Sequence, residues 1–172
     1  MRIPPVTPGT RADLADLEAR ILAERGRVSP LYQVLLNSPP MAHGWEQLLS
    51  AVRKRNSLTA DVRELVILRV AVLNGATYEF DAHVPHAQAA GVSPEAIEAL
   101  RKVPLAADAP LTPAQRLAID LADRMTRSIT VERELFDRVS ANLDTQQMLD
   151  LVVTIAAYNM VSRLLVTLEI GH

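Results

Sequence analysis

The stretch ELVILRVAVLNGA, residues 64–76, decides how the rest of the chain is read. Its apolar residues alternate neither with the period of a strand nor along a single helical stripe, and they run on until Asn74 and Gly75 stop them. A helix this apolar on every side has to be buried on most of them. A second run of the same kind, MLDLVVTIAAYNMVSRLLVTLEI, occupies residues 148–170. Two such helices in one short chain imply a core built by packing helix on helix.

Outward from these two runs the helix boundaries are legible. Four times a Ser or Thr able to cap a helix stands directly before a Pro suited to the first helical position: Ser29-Pro30, Ser38-Pro39, Ser93-Pro94 and Thr112-Pro113. Thr112 with Gln115, and Asp144 with Gln147, have the spacing of a capping box. Gly26, Gly75, Gly91 and Gly171 fall where helices should end in a left-handed residue. These signals predict helices at about 12–26, 30–37, 39–55, 60–74, 78–90, 94–102, 113–128, 131–142 and 145–169. No segment alternates as a strand does. The expected fold is an all-α, compact helical bundle of eight or nine helices, forming a single domain over 1–172 in which 1–28 are an N-terminal arm and helix and 29–172 the core. Residues 103–111, rich in Ala and Pro, read as a loop within it.

Composition narrows the function. The chain has 172 residues, 49% of them hydrophobic but only 3% aromatic, so the core is aliphatic. The 18 basic and 20 acidic residues nearly cancel, which supplies no field for nucleic acid or an anionic membrane. Cysteine is absent, which removes disulfides, thiolate metal sites and thiol nucleophiles. The N-terminal MRIPPVTPGT lacks the apolar run of a signal peptide, and the longest apolar stretches, 65–73 and 149–157, fall short of the roughly 20 residues of a membrane span. A cytoplasmic protein is expected. The surplus apolar surface of the two core helices predicts a homo-oligomer, whether dimer, trimer or hexamer.

The polar residues that interrupt this pattern are the candidate site. Glu64 opens the first apolar helix, where a carboxylate also suits the helix dipole. Glu79, His83 and His86 follow at spacings of four and three, which places them within about 60° on one helix face. A carboxylate beside an imidazole is equipped for proton transfer near neutral pH. The same trio suits part of a metal site, or a plain solvated face. Pro85 lies in this helix and cannot donate to the Asp81 carbonyl, so a kink beside His83 is expected. Tyr158, Asn159, Ser162 and Arg163 interrupt the C-terminal helix. Arg163 and Arg69, each in apolar surroundings, call for an ion-pair partner or a substrate carboxylate; for Arg69 the partner could be Glu64, Glu79 or another chain.

Glu64-Leu-Val-Ile-Leu-Arg69, then Asn74-Gly-Ala-Thr-Tyr-Glu-Phe80 and His83, resemble the carboxymuconolactone decarboxylase family, within the alkylhydroperoxidase D-like superfamily. Ala89-Ala-Gly-Val-Ser-Pro-Glu95, Gln146-Gln-Met-Leu-Asp-Leu151 and Tyr158-Asn-Met-Val-Ser162 extend the likeness, which covers roughly residues 30–170. The resemblance implies a compact all-α fold that assembles into trimers, hexamers or related oligomers. In the peroxidase branch a Glu, two cysteines and a His carry the chemistry; here those positions are Glu64, Ala76, Glu79 and His83. The chain therefore looks like the cysteine-free branch, in which a Glu stands in place of a thiol and an aromatic residue, here Phe80, follows. That branch implies decarboxylation of a small carboxylated lactone without a cofactor. The resemblance makes His83, Glu79 and Glu64 the catalytic candidates and a small carboxylate or lactone the partner. Arg163, Arg69, His86 and Tyr158 are candidate substrate-binding residues. A metal site at Glu79, His83 and His86, or small-molecule binding without turnover, is the alternative.

Overall fold

The computed structural model describes residues 1–171. Among them are nine α-helices and no strand: α1 (Ala15–Arg25), α2 (Pro30–Leu35), α3 (Pro39–Lys54), α4 (Ala60–Leu73), α5 (Thr77–Ala89), α6 (Pro94–Ala99), α7 (Pro113–Ser128), α8 (Arg133–Ser140) and α9 (Thr145–Leu168). A single turn of 3-10 helix, Ala12–Leu14, leads into α1. All nine expected helices are present.

Helix initiation follows the sequence in part. Thr112 accepts from the Gln115 amide while Gln115 reaches back to the Thr112 amide, and Asp144 and Gln147 exchange the same pair of bonds. Ser93 accepts from the Ala96 amide. Ser29 and Ser38, expected to cap likewise, make no side-chain cap bond. There the fixed φ of Pro30 and Pro39 starts the turn.

The chain divides into two compact units, Asn56–Leu164 and Met1–Arg55 with the residues from Leu165 on. This boundary falls deeper in the chain than the arm at 1–28 that the sequence sets apart, because α1 and α2 both pack on α3. Leu14, Leu17, Ile21, Tyr32, Leu36 and Ala42 form the core of that unit.

In the other unit α4 is the central helix, packed against α5 and α7. Every residue from Glu64 to Ala71 is buried. The surplus apolar surface read in 65–73 is thus covered by the chain's own helices and needs no partner there. On α9 the case differs: Leu149 is 61% and Met160 38% exposed. By length and composition α9 could cross a membrane, which the shorter stretch 149–157 had not suggested, yet half of its apolar window is buried inside the protein.

The α4–α5 turn sets up the site. Gly75 takes φ 67°, a conformation that disfavours a side chain. The Gly75 amide donates to Val72 O and the Ala76 amide to Ala71 O, the paired bonds of a Schellman cap. The chain re-enters a helix at Thr77. This short reversal lays α5 back along α4, so that residues early in α4 meet residues one to two turns into α5. Helix α5 runs through Pro85 without interruption.

Candidate functional site

His83 is the centre of a buried polar cluster. Its Nδ1 lies 2.6 Å from Glu64 Oε2, and its Nε2 lies 3.2 Å from Glu79 Oε1 and 3.2 Å from Tyr158 Oη. Tyr158 also presents its ring edge-on to the imidazole, with centroids 5.2 Å apart. Three helices therefore converge: α4 supplies Glu64, α5 supplies Glu79 and His83, and α9 supplies Tyr158. All four side chains are buried, His83 to 3% exposure.

Such burial requires charge compensation. Carboxylates on both sides of an imidazole favour the imidazolium, in which Nδ1–H donates to Glu64 and Nε2–H is shared between Glu79 and Tyr158. Burial by itself pushes the His83 pKa down, but the hydrogen bonds and charges of Glu64 and Glu79 outweigh it and hold the pKa above the ordinary imidazole value. Arg63 Nε lies 3.4 Å from the other Glu64 oxygen, Oε1. The two cations and two carboxylates then sum to neutrality, which an isolated buried charge could not achieve. The sequence reading passed over Arg63; the available signal was its position directly before Glu64 at the start of the most buried helix.

The remaining candidates lie outside the buried cluster. His86 is exposed, one turn along α5, its ring centroid 5.5 Å from that of His83 and tilted by 56°. Arg163 is exposed and donates to Asn159 Oδ1 at 3.0 Å. Arg69 is a correction. It is fully buried, its Nε and Nη2 bind the Asp123 carboxylate at 2.5 and 2.6 Å, and its Nη1 donates to the carbonyls of Leu100 and Lys102 at 2.7 Å each. A guanidinium spent in this way on α7 and on the turn after α6 has no face to offer a substrate. Its partner is Asp123, not Glu64, Glu79 or a second chain.

The geometry also opposes the metal alternative. A metal-bound imidazole gives the ion a nitrogen lone pair, and both nitrogens of His83 are already engaged with Glu64 and with Glu79 and Tyr158. Among the described residues no group of three or more His, Asp and Glu side chains is arranged to hold an ion. The surface clefts of about 460 Å³ beside α7 and α8 and about 490 Å³ beside α6 are lined by other residues.

A second buried polar group went unread in the sequence. In the N-terminal unit Ser50 Oγ donates to Glu46 Oε1 and accepts from Arg25 Nη2 at 3.0 Å, with the guanidinium carbon 5.8 Å from the centre of the Tyr32 ring. Glu46 and Ser50, four apart, sit on the same face of α3 as Ala42 and Leu49. Two polar residues on an otherwise apolar face were the signal.

Comparison with known proteins agrees with this architecture. The model of the carboxymuconolactone decarboxylase family matches residues 39–124. Protein YdfG of Bacillus subtilis (strain 168) is 29% identical over 113 residues, 64% of this chain and 76% of its own length. An uncharacterized peroxidase-related protein from Ralstonia eutropha JMP134, with an alkylhydroperoxidase AhpD core, superposes with a TM-score of 0.82 at 18% identity, over 98% of this chain and 90% of its own. A second peroxidase-related protein, from Silicibacter sp. TM1040, gives 0.81 at 17% identity over 99% and 89%. The debrominase Bmp8, in complex with 2,3,4-tribromopyrrole, gives 0.80 at 14% identity over 99% and 91%. At these identities the superpositions speak for the fold.

Proposed function

Because the chain belongs to the carboxymuconolactone decarboxylase family, we propose that it is a proton-transfer enzyme that decarboxylates a small carboxylated lactone without a cofactor, with His83 as the acid. The observation that carries this reading is the clamp on His83: one nitrogen is fixed by Glu64 at 2.6 Å and the other is shared by Glu79 and Tyr158. Loss of CO₂ leaves an extended enolate that must be stabilised and then protonated on carbon. An imidazolium held in a fixed orientation, with its pKa raised by two carboxylates, performs both tasks. Glu64 fixes the tautomer and orientation, so the transferable proton is the one on Nε2. Glu79 and Tyr158 flank that proton and bound the place where the substrate's reacting carbon would stand.

With Arg69 committed to Asp123, the substrate carboxylate needs another cation. The peroxidase-related neighbours lend no thiol chemistry, since positions 76 and 79 are Ala and Glu. The ligand named for the debrominase is a single five-membered ring, the size class of a lactone. The exposed residues of α9 support a homo-oligomeric assembly.

The test is release of CO₂ from carboxylated lactones by the intact protein and its variants. His83→Ala should lower turnover by roughly 10² to 10⁴ fold, the range for a general acid, with a much smaller change in thermal stability. Glu79→Gln keeps the shape and removes the charge, so it should also impair turnover. Unchanged kcat in both variants would end the case for this cluster as the catalytic centre.

A further inference from the structure

A buried acid has to be recharged. Decarboxylation releases CO₂ without a proton and the carbanion takes one, so the net reaction draws one proton from water in each turnover. On the reading above that proton leaves His83 Nε2, yet His83 is 3% exposed and its partners Glu64, Glu79 and Tyr158 are also buried. In the substrate-free protein these partners therefore shield the imidazole from direct reloading by water. Arg63, the cation at the edge of the cluster, contacts Glu64 and not Nε2.

His86 meets the requirement. It lies three residues beyond His83 on the same face of α5, its ring is exposed, and its centroid is 5.5 Å from that of His83 with the planes tilted by 56°. At that separation one bridging water can link the two rings. An imidazole is also the side chain whose ordinary titration lies nearest neutral pH, so it can both take and give a proton there. The substrate-contact role that the sequence reading offered for this residue gives way to one that its exposure serves better. We infer that His86 is the relay through which the buried His83 exchanges protons with solvent. After each transfer to carbon, a proton passes from the His86 imidazolium to the vacated nitrogen of His83, and water reprotonates His86. This rests on His83 being the acid, but the exchange itself requires no substrate.

The experiment is accordingly done without one. In protein labelled with ¹⁵N-histidine, the exchange of the His83 ring N–H protons with water is followed by NMR in the wild type and in His86→Ala, with and without excess free imidazole. Because the ring is exposed, the substitution should leave the fold intact. The relay predicts that exchange at His83 slows by roughly tenfold or more in the variant, the lower range of general acid and base effects, and that free imidazole restores it. An unchanged or faster rate, or a slowed rate that imidazole does not restore, overturns the inference. A protein that releases no CO₂ from any lactone, yet shows the slowed and rescued exchange, would refute the decarboxylase reading and leave the relay standing.

Discussion

Replacing Arg69 by Met separates structure from chemistry most sharply. The substitution keeps much of the aliphatic stem, which lies in the apolar interior of α4, and removes four hydrogen bonds: two to the Asp123 carboxylate and two to the carbonyls of Leu100 and Lys102. Breaking a buried ion pair by deleting one partner costs about 3–5 kcal/mol. Asp123 is 25% exposed and can take up water when the guanidinium is gone, so the lower end, about 3 kcal/mol, applies. For a chain of this size each kcal/mol shifts the midpoint by roughly 2–4 °C, giving a fall of about 6–12 °C. Thermal unfolding by circular dichroism measures it, and turnover or ligand binding is measured on the same preparation well below the transition. Activity per folded molecule should be retained, because Arg69 binds α7 and the turn after α6 rather than the His83 cluster. A variant that melts within about 2 °C of wild type but loses its activity would refute the structural assignment and return Arg69 to the substrate site.

Other outcomes follow from the same geometry. The His83 pKa is raised in the folded protein, so its contribution to stability is fully present below the unfolded imidazole value of about 6.5 and is lost as pH rises through the folded value. Denaturant unfolding across that window should show stability falling with pH, and His83→Asn should remove that component of the slope. Peroxide consumption coupled to a dithiol reductant should match a buffer blank, since a thiol peroxidase needs a thiolate and the chain has no cysteine; turnover above the blank, with haem and metal excluded, would contradict this. Sedimentation at micromolar concentration should give at least twice 18.9 kDa, because Leu149 and Met160 leave apolar surface on α9 uncovered; a clean monomer would remove the oligomer.

What the sequence alone determined is what depends on neighbours a few residues away. Periodicity, the Ser/Thr-Pro starts and the glycine stops located all nine helices, because capping and left-handed termination are local properties of the backbone. Spacing of four placed Glu79 and His83 on one face of α5, and the absence of cysteine removed thiol chemistry before any fold was known. Contacts across the chain were decided only by tertiary structure. Glu64 and Tyr158 reach opposite nitrogens of His83 from 19 and 75 residues away, while Asp123 takes Arg69 from 54 residues away. A buried charge takes the partner that helix packing brings to it, and a chain read in order holds several partners of the right sign. For the same reason the Glu46, Ser50 and Arg25 cluster passed unread, since Arg25 arrives from a different helix. Arg69 and Arg163 looked alike in sequence, each an arginine in an apolar run; packing buried one completely against a carboxylate and left the other exposed beside Asn159.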